Sequence, residues 1–411
     1  MTSLSNAQLA AIAREYGTPC WVYDAATIRR QIALLRQFDV VRYAQKASSN
    51  VHLLRLMRSE GVLVDAVSQG ELERALAAGY EPGGDPSPIV LTTDVLDRAT
   101  LERVVALKLP VNAGSPQMLT QLGERSPGHP VWLRINPGFG HGHSKKTNTG
   151  GEHSKHGIWH TELAEALALL DRQRLELVGL HMHIGSGADY THLARVCEAM
   201  IDLVARAGRD VRAISAGGGL TIPYREGDRA VDTAHYFALW DGARREIAQR
   251  LGHPLSLEIE PGRFLVGQAG VLVSEVLAHK PVGPNHFVLV DAGFNDLMRP
   301  AMYGAQHRIS VLARDGTPRA GEARPTIVAG PLCESGDVFT QGEGGEVVPQ
   351  LLPLADRGDW LLFHDAGAYG ASMSSNYNSR PLAPEVLVDG DAVKLVRRRQ
   401  TVDELLALER C

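Results

Sequence analysis

The sequence predicts an α/β protein: a (β/α)8 TIM barrel followed by a C-terminal antiparallel β-barrel or sandwich domain. Three observations carry this. Eight short β-rich runs alternate with stretches of helical periodicity, which makes the strands parallel and covers them with helices. Polar, chemically useful residues recur at the C-terminal ends of those runs, where barrels of this kind place their sites. After residue 266 the texture becomes β-rich with no amphipathic helix between the runs. A doubly wound open sheet is the alternative for the first part.

Taken in order, residues 1–17 read as a short amphipathic helix. Residues 19–23 (PCWVY) read as a strand that precedes the barrel and pairs with the C-terminal domain. The barrel runs are Val40–Ala44, Val62–Ala66, Ile89–Thr92, Pro110–Ala113, Val131–Ile135, Leu177–His183, Arg212–Ala216 and Ser256–Glu260. Between them Val51–Ser59, Glu71–Ala78, Thr100–Leu107, Leu163–Leu170 and Ala234–Leu251 are helical, with apolar positions on one face or strong helix formers throughout. Beyond residue 266, GVLVSEV, HFVLVDAG, TIVAGPL, DWLLFHDAG and PEVLVDG are strands, and Thr401–Glu409 is a closing helix. The expected domains are therefore a cofactor-binding barrel over 25–266 and a discontinuous β domain made of 1–24 and 267–411.

Composition narrows the function. The 411 residues suit two domains. A formal net charge of −5 with no basic stripe argues against a nucleic-acid partner. With 44% hydrophobic and 22% charged residues, disorder is excluded as the main state. No window approaches 18 apolar residues, so no membrane partner is expected. The N-terminus lacks the basic and apolar regions of a signal peptide. Cys20, Cys197, Cys333 and Cys411 form no CxxC pair, which fits a reducing cytoplasm better than a disulfide framework. The 42 glycines exceed the average share without any periodic repeat, so they belong to loops.

The strand ends supply the chemistry. The first run ends in Lys46, the second is followed by Ser68 and the third by Thr93. The fourth carries Asn112 and the fifth Arg134. The sixth ends in His183, the seventh runs into Gly217–Gly219 and the eighth ends in Glu260. Amides of Gly217, Gly218 and Gly219 can form an anion nest, although a flexible turn is the plain alternative. Ser186, in HIGS, adds a hydroxyl, and Gly262 and Arg263, in EPGR, add a glycine and a guanidinium. Three neighbouring loops of this kind point to a phosphate. A partly desolvated lysine is a candidate nucleophile toward a carbonyl, against the commoner solvated surface lysine. Together these groups suit pyridoxal 5'-phosphate (PLP). Lys46 would attach it covalently, His183 would stack on its ring, and Glu260 would face the pyridine nitrogen and keep it protonated.

Seven segments sharpen this: YAQKASSN (43–50), GLHMHIGSG (179–187), SAGGGL (215–220), EIEPGRFLV (258–266), VDAGFNDLMRPAMYGAQH (290–307), GPLCESGDVF (330–339) and DAGAYGASMSSNYNSRP (365–381). In order and over essentially the whole chain, the sequence resembles the diaminopimelate decarboxylase family. This is a branch of the fold-type III PLP decarboxylases, related to ornithine decarboxylase and alanine racemase. The resemblance implies decarboxylation of meso-2,6-diaminopimelate to L-lysine and CO2, the last step of lysine biosynthesis. It also implies a homodimer or higher homo-oligomer with shared active sites. By the same resemblance Lys46 is the cofactor-bearing lysine, His183 the ring-stacking histidine and Glu260 the pyridinium partner. Ser186, Gly217–Gly219, Gly262 and Arg263 contact the cofactor or its phosphate, with Arg263 also near substrate. Arg299 and Tyr303 grip the distal carboxylate of the substrate. Cys333 and Glu334 enter from the other subunit, and Tyr369 lies near both cofactor and substrate. Cys333 is the candidate proton donor, so the catalytic set is Lys46, His183 and Cys333.

The physical reading agrees on specificity. Diaminopimelate carries a second amino-acid head, which asks for a cation and an anion. Arg299 offers the planar fork and Glu334 the countercharge. Ornithine has only a distal amine, which suits an arginine-bearing pocket poorly. A structural salt bridge is the plain alternative for Arg299. The stretch 139–160 departs from the pattern by carrying His141, His143, His153, His156 and His160. No cysteine or HxxxH helix supports zinc there, so no metal is expected, and an active-site loop with glycine hinges is. Met182 and Gly187 also depart. Two rivals stay open: an amine-forming decarboxylase or racemase of the same group, and a non-catalytic relative that binds a partner protein.

Overall fold

The structure, a computed structural model, describes residues 2–140, 150–183, 190–225 and 227–411. It divides into two compact units. One comprises residues 32–221 and 230–262, the other residues 1–31, 222–229 and 263–411. The first strand, β1 (Cys20–Asp24), belongs to the second unit.

The larger unit is a closed parallel barrel of β2 (Val40–Ala44), β3 (Leu63–Ala66), β4 (Ile89–Thr93), β5 (Val111–Ala113), β6 (Pro130–Asn136), β8 (Glu176–His181), β9 (Ala213–Ser215) and β10 (Ser256–Ile259). The two-residue β7 (Ile158–Trp159) pairs only with the end of β6. Pairing of β10 with β2, as with β5 and β6, is parallel and leaves no open edge in the ring. The strands are rich in Val, Ile and Leu and buried on both faces, as a helix-covered parallel sheet requires. Several helices start where a side chain caps them. Asn50 accepts from His52 N–H ahead of Val51–Ser59, Asp97 from Thr100 N–H ahead of Arg98–Leu107, and Asp232 from Ala234 and His235 ahead of Thr233–Leu251.

Helices over Pro116–Arg125 and Tyr190–Ala207 extend the expected set. The latter buries Leu193, Val196, Met200, Leu203 and Val204 on one face. Three strands stop short of their expected ends: β8 at His181, β9 at Ser215 and β10 at Ile259, so His183 and Glu260 stand just past β8 and β10. Deep in the barrel Arg42 meets Glu258 through two bonds of 2.6 and 3.1 Å. Both side chains are nearly inaccessible, at 2% and 3% exposure. Removing one partner of such a buried pair costs about 3–5 kcal/mol.

The second unit is a mixed sheet that places β1 between the strands Gly270–Val282 and Glu385–Asp389, with Trp360–Phe363 bridging Gly270–Val282 and Ile309–Leu312. Its later strands are β11 (Gly270–Val282), β12 (Asn285–Val290), β13 (Ile309–Leu312), β14 (Ala323–Ala329), β15 (Gln350–Pro353), β16 (Trp360–Phe363), β17 (Glu385–Asp389) and β18 (Ala392–Arg397). It is antiparallel except at β1–β17 and β12–β14, so the antiparallel expectation holds for most of its ladders. A five-residue helix, Arg299–Tyr303, interrupts the strands where the sequence predicted none. Residues 222–229, expected within the barrel domain, cluster with this unit and bring Tyr224 to it. The N-terminal helix Asn6–Tyr16 packs Leu9, Ile12 and Ala13 onto Val22, Val271, Val273, Trp360 and Leu362. No helix among the described residues is long and apolar enough to cross a membrane.

Candidate active site

At the C-terminal ends of the barrel strands the predicted groups converge. Glu260, just past β10, is buried and accepts two bonds: His181 Nε2 lies 2.7 Å from its Oε2, and Ser215 Oγ donates to its Oε1 at 3.2 Å. Burial works against its charge. The charge and hydrogen bond of His181, with the charge of Arg134, overcome this and hold the carboxyl well below the usual carboxylate range. Each carboxylate oxygen has two lone pairs, so the anion keeps acceptor capacity for a further N–H. Asp65, on β3, is driven the other way by burial and by the Glu260 charge, well above the usual range. Lys46 stands on the single turn Gln45–Ala47 after β2 and is exposed.

His183 is pushed well below the usual histidine value by desolvation first, then by the charges of Arg134 and Lys46. Its ring is therefore neutral, and Gly218 N–H donates to its Nδ1 at 2.8 Å. Gly217 N–H donates in turn to Ser215 Oγ at 3.1 Å. Two amides of the expected anion nest are thus already committed inside the protein. What the glycines provide is close approach. A Cβ on Gly217, which has φ +60°, would lie 2.4 Å from Met182 O, and one on Gly218 2.6 Å from Glu260 O. The run lets the chain pass under His183 and Glu260. Gly262 lies close against Ala44, where an added Cβ would meet the carbonyl oxygen at 3.1 Å.

These groups fit PLP. There is a buried charged carboxylate with acceptor capacity for a pyridinium N–H, a neutral imidazole to pack on a ring, and a lysine at a strand end. Asp65 Oδ1 and Asn112 Oδ1 are buried without a hydrogen-bond partner among the described residues, so the barrel end holds unused polar capacity. By contrast, a cavity of about 460 Å³ at the opposite strand ends is lined by Arg42, Ser87, Trp132 and Glu258 and contains none of the predicted site residues.

In the second unit two guanidinium groups share one aromatic ring. Arg299 lies 4.6 Å and Arg263 5.6 Å from the centroid of Tyr224. Arg263 Nη1 donates to Tyr224 Oη at 2.7 Å, and its guanidinium also covers Tyr369 at 5.0 Å. Tyr369 has φ +57°, a left-handed conformation seldom adopted by a bulky side chain and found at over-determined sites. Arg299, 5% exposed, bonds His307 Nε2. Neither arginine forms an ion pair with a carboxylate among the described residues. Two unneutralised cations so close leave positive charge uncompensated among the described residues. Tyr303 is half-buried at the end of the same short helix.

Cys333 and Glu334 are exposed, with Cys333 N–H donating to Asn378 Oδ1 at 2.9 Å. Ser186 lies outside the described residues, as do Gly185, Gly187, His141 and His143. Of the histidine-rich stretch, His156 bonds Asp94 at 2.5 Å, and Gly151 is tied to Asn136 through both its N–H and its carbonyl. Ser68 caps the helix Gln69–Ala77, and Thr93 Oγ1 donates to Val95 O, so both serve local structure. Sequence reasoning missed His181, Asp65, Tyr224 and His307. His181 had a signal: two residues before His183 on one strand, it shares its face. Asp65 had one too, as a carboxylate inside an apolar strand. Tyr224 had none, being on an irregular segment, and His307 had only its place at the end of the 290–307 stretch.

Residues 25–267 match the family model described as "Pyridoxal-dependent decarboxylase, pyridoxal binding domain". The "Diaminopimelate decarboxylase" of Streptomyces coelicolor is 71% identical over 407 residues, 99% of this chain and 92% of that protein. Its namesake in Escherichia coli K12 is 65% identical over 99% of this chain and 97% of its own length. A "Crystal structure of diaminopimelate decarboxylase" superposes with a TM-score of 0.96 at 64% identity, covering 99% of this chain and 97% of that one. The Helicobacter pylori enzyme "complexed with L-lysine" superposes at 0.84 with 30% identity, over 98% and 99%.

Proposed function

Because the chain belongs to the pyridoxal-dependent decarboxylase family, we propose that with PLP as its cofactor it removes CO2 from meso-2,6-diaminopimelate and yields L-lysine. The observation that carries the substrate choice is Arg299, a buried guanidinium with no carboxylate partner among the described residues. A substrate with a distal carboxylate satisfies that charge, and ornithine does not.

In this reading Lys46 binds the cofactor, and PLP when bound supplies an electron sink for the pair left on Cα as CO2 departs. Glu260, held charged by His181 and Ser215, accepts from the ring nitrogen. His183, neutral and oriented by Gly218, packs on the ring face. Gly217, Gly218, Gly219 and Gly262 allow close approach, and Ser186 and Arg263 take the phosphate or the substrate carboxylate. Arg299 and Tyr303 hold the distal carboxylate, and Tyr369 lines the same region. Glu334 offers the distal ammonium its countercharge, and Cys333 returns a proton to Cα. Both come from the partner subunit of a homodimer, which accords with their exposure. Residues 25–266, apart from 25–31, 222–229 and 263–266 that cluster with the other unit, then form the cofactor-binding domain, with 1–24 and 267–411 in the β domain. The four free cysteines accord with a reducing cytoplasm.

The test is product formation. Purified protein with added PLP is expected to release CO2 and L-lysine from meso-diaminopimelate and to spare L-ornithine and L-lysine. Lys46→Ala is expected to remain folded and lose turnover. Ornithine decarboxylated as fast as diaminopimelate, or full turnover by Lys46→Ala, overturns the reading.

A further inference from the structure

We propose that His307 is a positioning residue that aims the Arg299 guanidinium at the distal carboxylate of the substrate without cancelling its charge. His307 stands just before β13, buried, on an irregular segment that closes the 290–307 stretch. Its two ring nitrogens are both engaged. Nδ1 lies 2.9 Å from the backbone carbonyl of His364, and Nε2 lies 2.9 Å from Arg299 Nη1. A carbonyl only accepts, so Nδ1 carries the proton. A guanidinium only donates, so Nε2 presents its lone pair. The two partners dictate the neutral Nδ1–H tautomer. Burial, then the charges of Arg299 and Arg263, push the ring down to about 3, so it does not titrate near neutrality.

The support behind His307 is rigid. β13 and β16 pair with Ile309 opposite Phe363, which sets the His364 carbonyl, and His364 N–H closes the ladder onto Arg308 O at 2.9 Å. Gln350 Nε2 holds the His307 carbonyl at 3.2 Å. Tyr224 meets the His307 ring edge-on at 5.6 Å and 82° while its own face carries Arg299. The guanidinium is thus held at one nitrogen and on one face. A carboxylate at position 307 would hold Arg299 as firmly but neutralise it. A neutral imidazole fixes the geometry and leaves the charge for a ligand.

The proposal rests on the reading of Arg299 as the distal-carboxylate ligand, and the experiment separates the two. L-lysine retains that carboxylate, and cadaverine lacks it. Calorimetric binding of each to the PLP-loaded protein is compared for wild type, Arg299→Leu, His307→Leu, His307→Gln and His307→Glu, beside PLP affinity and steady-state kinetics. We expect His307→Leu to weaken L-lysine binding and raise KM for diaminopimelate about tenfold, the scale of one hydrogen bond to a charged group. PLP affinity, cadaverine binding and kcat should change little. His307→Gln, which keeps an acceptor, should recover most of the loss, and His307→Glu should bind L-lysine worse than His307→Gln. Unchanged L-lysine binding by Arg299→Leu defeats the distal-carboxylate reading itself. Loss in Arg299→Leu without loss in His307→Leu defeats only the role of His307. Should His307→Leu not fold, equal L-lysine binding by the Gln and Glu variants overturns the proposal.

Discussion

Two histidines two positions apart on one strand end perform opposite tasks. His181 faces Glu260 and helps hold it charged, while His183 is kept neutral and is turned by Gly218. The residue that couples them to the chain path is Gly218, whose amide aims one ring and whose missing side chain admits the carbonyl of Glu260. Gly218→Ala places a methyl 2.6 Å from that carbonyl, a contact only backbone movement relieves. Forced overpacking costs about 1–3 kcal/mol, so PLP affinity measured by titration of the apoprotein should fall roughly tenfold or more with a lowered Tm. An unchanged affinity would mean that the glycine run does not set the ring-binding geometry. At this scale legibility followed position. Lys46, His183 and Glu260 could be read because chemistry gathers at strand ends and each closes a β-rich run. Tyr224 and His307 could not, because their segments have no period and they meet the arginines only through tertiary packing.

At the scale of elements, strands were read more fully than helices. The barrel runs lie within a residue or two of their observed ends, because burial on both faces leaves continuous apolar stretches, while the runs of the second unit miss theirs by up to six residues. The helices Pro116–Arg125 and Tyr190–Ala207 were passed over, although the second carries a clear apolar face. One junction deserves a test of its own. Asp24, the last residue of β1, accepts from Ser3 N–H at 2.6 Å, Ser3 Oγ at 2.7 Å, Thr2 Oγ1 at 3.0 Å, Thr27 Oγ1 at 2.6 Å and Ala26 N–H at 3.0 Å. Burial alone would raise its pKa. The bonds from Thr27, Ser3 and Thr2 outweigh it and lower the value. Asp24→Asn replaces one acceptor by a donor among donors and should cost about 1–3 kcal/mol at neutral pH. A depressed carboxyl stabilises the fold above the unfolded value of about 4, and that stability is lost as pH falls through the folded value. The gap in Tm between wild type and variant should therefore narrow on acidification below pH ~4. A gap that stays constant to pH ~3 would show that the charge at this junction does not matter.

The whole molecule is built around a strand that arrives first in the chain and finishes a sheet made last. β1 lies between β11 and β17, antiparallel to one and parallel to the other, and all five of its residues are buried. Its partners are separated from it by the entire barrel sequence. Closing so long a loop is tolerable because the entropic cost grows only logarithmically, by about 0.6 kcal/mol per doubling. Pairings this distant do slow folding. The expectation that residues 19–23 join the C-terminal sheet came from a strand pattern that precedes the barrel runs. The inclusion of residues 222–229 in the same unit had no such pattern and emerged only from the fold. A central strand is not a removable tail. Without residues 1–24 the unpaired edges of β11 and β17 would face solvent, and Val22 would be missing from the core it shares with Val271, Val273, Val386 and Val388. A chain beginning at residue 25 should aggregate on expression. Any soluble fraction should lack hydrogen-exchange protection on the amides of β11 and β17, while the barrel amides of β2 to β6 retain theirs if that unit folds by itself. A monodisperse truncated protein with native protection along β11 and β17 would show that β1 is dispensable to the sheet at whose centre it lies.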